Sequence, residues 1–309
     1  MILNVGLNPV WQKTLEIDNL KLDSVNRVKN VIEMASGKGI NVARSLKILG
    51  ESSFAIGFAG GTNGSILVDY LRNEKISHNF VKTIANTRMA ITLVDEKAHS
   101  CTEIVEPATN ITTEEKDRFF KIFNETISRT KMLTLSGTIP KGISDNIYFD
   151  LIRKASTYGI KTILDTGGKT LAFGIKAKPY MIKPNLLELE MMLECKLNTV
   201  SLIKTAVRKF LSIGIEWVAI SLGKKGAIVG NKDKIWHAIP PKIDAINPIG
   251  SGDAMTAGFV YGLSKNNRPE DIIKLGIACG SANALISGPG IFDINEAHKL
   301  TKRVHLILL

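Results

Sequence analysis

Short apolar runs alternate along this chain with stretches of helical spacing, and that alternation restricts its fold more than any other feature. The runs at residues 1–7, 54–58, 132–136, 161–165, 181–183 and 217–222 have the length and apolar continuity of strands buried on both faces. Between them, residues 40–49, 146–158, 187–193 and 202–213 carry apolar side chains three and four apart. Strand and helix in turn predict an α/β fold, a parallel sheet covered by helices on both sides. Several runs end in polar or glycine-bearing turns: Ser136-Gly137, Asp165-Thr166-Gly167-Gly168, Lys183-Pro184-Asn185 and Ser221-Leu222-Gly223. Ligands of open α/β sheets bind beyond the carboxyl ends of the strands, so these turns are expected to line one cleft.

Two segments break the rhythm. Residues 10–34 and 87–106 contain short alternating runs that read as antiparallel strands of a small sheet, a lid inserted within a single domain spanning 1–309. A lid suits group transfer to a chosen acceptor, because closing it keeps water from reacting instead. Hydrophobic residues at 44% and charged residues at 22% leave no room for long disordered stretches.

The formal charge is +11, but the 40 Lys and Arg are spread along the chain, with no basic block and no aromatic ladder among them. Nucleic acid is therefore not an expected partner. No apolar run approaches the roughly 18 residues of a membrane span, and the opening residues lack the basic start of a secretory signal, so no membrane partner is expected. Cys101, Cys195 and Cys279 stand far apart with no C-x-x-C spacing. That pattern suggests neither a disulfide framework nor a zinc site and fits a reducing cytoplasm.

The chemistry concentrates in residues 247–263, where a glycine-rich turn runs into a helix pattern. Free N–H groups and the dipole at a helix start attract an anion. Gly250, Ser251 and Gly252 let a phosphate approach the backbone, and Asp253 has its carboxylate where an acceptor hydroxyl would lie. Two readings of Asp253 stay open on the residues alone: a base that takes the hydroxyl proton, and an aspartate that caps its helix. A second turn, residues 36–46, sets Lys38 between two glycines at a helix start, suited to meet a phosphate or a sugar. It matches half of a dinucleotide fingerprint, but Val42 stands in place of the third glycine, and no G-x-x-x-x-G-K-[ST] occurs. In residues 183–190, Asn185 and Glu188 lie three apart at a strand-to-helix junction. They either organise hydrated Mg²⁺ near ATP or cap the helix reciprocally, and one arrangement does not prevent the other.

Six ordered segments make the chain resemble the ribokinase-like PfkB carbohydrate kinases over essentially its full length: residues 7–9 (LeuAsnPro), 37–44 (GlyLysGlyIleAsnValAlaArg), 134–142, 183–190, 214–227 and 247–253 (AsnProIleGlySerGlyAsp). Within that family it looks most similar to the 1-phosphofructokinase and tagatose-6-phosphate kinase branch. The resemblance implies a three-layer α/β/α domain with a mainly parallel sheet and a β lid that often forms a dimer clasp, so a homodimer through the lid is an expected partner. It also implies transfer of the ATP γ-phosphoryl group, with Mg²⁺, to a hydroxyl of a sugar phosphate. By motif, Asp253 is then the base, and Gly250, Ser251 and Gly252 form the anion hole. Lys183, Asn185, Glu188, Ser221, Gly223 and Gly226 fall on the nucleotide side, with Asn185 and Glu188 reaching the metal through water. Gly37, Lys38 and Asn41 fall on the sugar side, with Arg27, Arg88 and Ser136 as phosphate contacts.

Two positions depart from that branch. Its first motif reads Asn-Pro-x-x-Asp, whereas Gln12 takes the aspartate's place here; Ala90 stands where the lid motif Thr-Arg-x-Asn carries a polar sugar contact. Both changes fall on the sugar side, which implies an altered choice of acceptor, since unmatched hydrogen bonds are heavily penalised. The expected reaction is phosphorylation of fructose 1-phosphate or tagatose 6-phosphate to the bisphosphate. A kinase of another sugar or a nucleoside is the alternative, disfavoured by the positive groups Lys38, Arg27 and Arg88. A non-catalytic binder of sugar phosphate or nucleic acid is a third reading, in which Asp253 and its glycine turn have little purpose.

Overall fold

In the computed structural model, which describes residues 1–309, the apolar runs become neighbouring strands of one large sheet. Chain order begins β1 (Ile2–Gly6), β2 (Val10–Ile17), β3 (Asn30–Ser36), α1 (Lys38–Ile48), β4 (Ser53–Gly60), α2 (Gly61–Asn73) and β5 (His78–Thr83). Next come β6 (Met89–Asp95), β7 (Ser100–Val105), α3 (Thr113–Ile127), β8 (Met132–Ser136), α4 (Ile147–Ser156), β9 (Lys161–Asp165), α5 (Gly168–Lys176) and β10 (Met181–Ile182). The remainder holds α6 (Leu186–Leu193), α7 (Val200–Ser212), β11 (Trp217–Ser221), β12 (Ala227–Asn231), β13 (Ile235–Ile239), α8 (Ser251–Ser264), α9 (Pro269–Ala284), α10 (Ile294–Thr301) and β14 (His305–Leu308).

The large sheet has ten strands in the order β14-β13-β12-β11-β10-β9-β8-β1-β4-β5. From β5 to β11 every pairing is parallel, and beyond β11 the pairings are antiparallel, so the sheet is mainly parallel. The change follows from the connections. Helical crossovers return the chain in the same direction, whereas a three-residue 3₁₀ turn at Gly223–Lys225 sends β12 straight back along β11. Successive strand side chains point to opposite faces, and the core divides accordingly. Leu3, Leu133, Val218 and Ile228 pack with Phe119, Tyr148, Leu171 and Phe210 of α3, α4, α5 and α7. Ile2, Met132, Trp217 and Val229 pack on the other side with Leu46, Phe259, Ile273 and Leu300 of α1, α8, α9 and α10. The result is a three-layer α/β/α body. No helix is long and apolar enough to cross a membrane.

A separate four-stranded sheet, in the order β3-β2-β6-β7, is built from the two segments that broke the alternation. Its outer pairings are antiparallel, but its central pair, β2 with β6, is parallel, which corrects the all-antiparallel expectation. The reason lies in connectivity. β2 leaves the large sheet after β1, and β6 leaves it after β5, so both strands emerge from the same end of that sheet and run the same way.

The start of α1 lies against the end of β1 at two glycines. A Cβ on Gly39 would stand 2.6 Å from the Cα of Gly6, backbone against backbone, so neither position tolerates a side chain. This approach sets Lys38 and Asn41 beyond the carboxyl end of the sheet. Gly39→Ala is expected to lower the unfolding free energy measured in urea by about 1–3 kcal/mol, the usual range for overpacking.

Candidate active site

Beyond the carboxyl ends of β1, β8, β10 and β11, a cleft of about 490 Å³ runs between the large sheet and the small one. Its walls bring together Gln12, Gly37, Lys38, Asn41, Arg88, Ser136, Lys183, Asn185, Glu188, Ser221, Gly250, Gly252 and Asp253. Residues 36–41, 183–188 and 250–253, distant in sequence, thus face one another across it.

Behind the cleft wall, Asp165 stands at the end of β9, fully buried. Lys38 Nζ lies 2.9 Å from its Oδ1 and Lys183 Nζ 3.0 Å from its Oδ2, while Thr256 Oγ1 donates to Oδ2 at 2.7 Å. Burial alone would raise this carboxyl's pKa, but Lys183 and Lys38 outweigh burial and hold it below the usual range. Lys38 also pairs with Glu188 Oε1 at 2.8 Å. Burial acts to lower its pKa; Asp165 and Glu188 overcome that and keep the ammonium charged. The sequence showed Asp165 only as one polar residue in a strand-end turn. Its lysine partners come from α1 and from the turn after β10, and no local spacing announces them.

Asp253 is the third residue of α8 and is buried. It does not cap its helix: the N-cap is Gly250, with no side-chain cap bond. Asn41 Nδ2 donates to Asp253 Oδ2 at 2.8 Å. The amide is held in that orientation because Ser36 Oγ and Arg44 Nη1 both donate to Asn41 Oδ1, and Glu74 grips Arg44 from behind. Burial raises the Asp253 carboxyl, the negative charge of Asp165 raises it further, and Lys38 and Asn41 only partly oppose them, leaving it at about 7.

The turn before Asp253 is fixed by two asparagines. Asn247 Oδ1 accepts from Ile249 N at 2.9 Å, and Asn283 Nδ2 donates to Ile249 O at 2.9 Å. Gly250 has φ +83°, and a Cβ there would meet Gly290 N at 2.6 Å, so this position demands glycine on both counts. The N–H groups of Gly250 and Gly252, both in the cleft wall, have no partner within the protein. Lys183 Nζ lies beside Gly252, 3.6 Å from where a Cβ would stand. Two free donors and an ammonium form an anion cradle. Ser251 lies outside the wall: its N–H donates to Pro248 O and its Oγ accepts from Asn283.

Other expected residues divide similarly. Ser136 Oγ and Arg88 Nε are buried without a hydrogen-bond partner and line the cleft, which leaves them for a ligand. Arg27 is exposed on the β2–β3 connection and is not part of the cleft. Gly223 and Gly226 also lie outside it. Gly226 is needed for the turn itself, because a Cβ there would collide with Ala238 O on β13. Asn185 and Glu188 form a reciprocal capping box, Asn185 Oδ1 accepting from Glu188 N and Glu188 Oε2 from Asn185 N. No group of three or more His, Cys, Asp or Glu encloses a metal position. A hydrated divalent ion fits nonetheless, because Glu188 keeps 22% side-chain exposure and spare lone pairs toward the cleft, and Mg²⁺ retains several waters.

Residues 6–295 match the pfkB family of carbohydrate kinases. The chain belongs to that family. It is 34% identical to tagatose-6-phosphate kinase of Staphylococcus epidermidis over 310 residues, covering 99% of each chain. A possible 1-phosphofructokinase from Thermotoga maritima superposes with a TM-score of 0.93 at 27% identity, covering 100% of this chain and 99% of that one. Ribokinase from the same organism shares the fold, with a TM-score of 0.75 at 21% identity over 98% of this chain and 99% of its own. This PfkB-family protein is a kinase with a ribokinase-like fold.

Because Asp165 balances two lysines in the interior, Asp165→Asn should leave the nearly buried Lys183 and the half-buried Lys38 without their central partner. Urea unfolding should register a loss of about 3–5 kcal/mol. A loss below 1 kcal/mol would mean that the lysines find other partners.

Proposed function

We propose that this kinase phosphorylates a ketohexose monophosphate, fructose 1-phosphate or tagatose 6-phosphate, to the bisphosphate, with Asp253 as general base. ATP-dependent sugar-phosphate kinase activity follows from the family and its relatives; the acceptor and the base are the inference. One observation carries it: a carboxylate raised to about 7 lies one residue from the unpaired N–H of Gly252, in the same cleft wall. A base works best when its pKa lies near the operating pH.

In this reading Asp253 takes the proton of the acceptor hydroxyl as that oxygen bonds to the γ-phosphorus, and the bridging oxygen leaves with ADP. The free N–H groups of Gly250 and Gly252, with the Lys183 ammonium, face the charge on the transferring phosphoryl oxygens. Arg88 and Ser136, with their unpaired buried atoms, receive the phosphate already on the sugar. Mg²⁺, when bound, neutralises charge on the terminal phosphates of ATP. Glu188 would hold it through water, and Asn185 would fix the Glu188 carboxylate through the capping box.

A homodimer through the small sheet is part of the same reading. The sheet's face away from the cleft carries Leu15, Val31, Ile91, Leu93 and Ile104, with Val31 45% and Ile104 56% exposed, an apolar strip suited to a second copy. Sedimentation should give a dimer, and Ile104→Lys should shift it toward monomer; a wild-type monomer at micromolar concentration would count against this assembly.

A coupled assay of ATP consumption should show turnover with fructose 1-phosphate or tagatose 6-phosphate. Asp253→Asn should lower kcat by about 10²–10⁴-fold. Because the ionised carboxylate is the active form, kcat/KM should rise with pH and level off above about 7. Full activity of Asp253→Asn would sink the base assignment.

A further inference from the structure

The cleft contains one carboxylate that phosphoryl transfer does not use. Glu103 lies on β7, in register with Thr92 of β6, and it lines the cleft together with Gln12, Ala90 and Val105 of the same sheet face. The other charged side chains of the wall have protein partners: Lys38 with Asp165 and Glu188, Lys183 with Asp165, Asp253 with Asn41, and Arg88 with the carbonyl of Asn8. Glu103 makes no ion pair and no side-chain hydrogen bond. Gln12 on the same face donates its Nε2 to Oγ1 of Thr92, the residue opposite Glu103, at 2.7 Å and is itself buried. Ala90 contributes only a methyl group. Glu103 is thus the one charged side chain of the cleft wall left without a protein partner.

We propose that Glu103 is a specificity-determining residue, its carboxylate accepting hydrogen bonds from hydroxyl groups of the sugar acceptor. An ionised carboxylate accepts and does not donate, so it selects O–H donors and repels phosphate. The phosphate of the acceptor belongs instead at Arg88: the partly enclosed cleft wall raises the pKa of the otherwise exposed Glu103 carboxyl, and the Arg88 charge opposes that rise. The small sheet thus presents a cation for the phosphate and an anion for the hydroxyls of one molecule. This inference rests on the sugar-phosphate reading above.

The test compares wild-type protein, Glu103→Gln and Glu103→Ala with the sugar monophosphate that the wild type uses best, and with its deoxy analogues lacking one hydroxyl at a time. Glu103→Gln should lower kcat/KM for the parent sugar by about 10- to 100-fold, through KM, as expected for losing a charged hydrogen-bond acceptor. KM for ATP and the melting temperature should stay unchanged, and for one deoxy analogue wild type and variant should agree within about twofold. A kcat/KM within twofold of wild type on the parent sugar would overturn the assignment, as would an equal loss on the parent and on every analogue. Wild-type protein that phosphorylates no sugar monophosphate would overturn the parent reading, and this inference with it, before any variant is made.

Discussion

The buried cluster of Asp165 with Lys38 and Lys183 is the interaction on which the site depends. It joins the start of α1 and the turn after β10 to the end of β9, and Thr256 adds α8. Four segments distant in sequence therefore meet at one carboxylate. The negative charge of Asp165 keeps Lys38 charged against its burial and holds Lys183 Nζ beside the glycine turn, and, added to burial, it helps to keep Asp253 partly protonated near neutral pH. One electrostatic arrangement thus favours an anion at the cradle and tunes the base beside it.

The two aspartates act on stability with opposite sign. Asp165, held below its ordinary range, contributes stability that is present at neutral pH and lost as acid protonates it. Asp253 has its folded pKa raised from 3.8 to about 7, so the folded state binds more protons than the unfolded one across that interval, and stability falls as pH rises through it. A group that costs stability when ionised, in a cleft with unpaired donors, fits a site shaped for a ligand more than for the resting fold.

Much of this was legible in the sequence. Central parallel strands are buried on both faces, so β1, β8, β9 and β11 stood out as apolar runs and lie within a residue or two of their expected bounds. The antiparallel edge was harder, because β12 follows β11 through a tight turn with no helical stretch between them and β14 has only four residues. α2 begins Gly-Thr-Asn-Gly, which reads as a loop, and α9 is rich in small residues because it packs closely on α8, where a Cβ on Gly258 would stand 2.8 Å from Gly276. At the site, motifs that carry their own backbone geometry could be read, as with the turn before Asp253 and the Asn185–Glu188 pair. Asp165 and Glu103 could not, because each acquires its meaning from partners or neighbours on other elements.

The most direct measurement of the central claim is a carbon-13 NMR titration of the Asp253 carboxyl in the intact protein. Titration near pH 7 is the result expected from the burial of Asp253 and the negative charge of Asp165. An ordinary carboxylate titration, near pH 4, would contradict it.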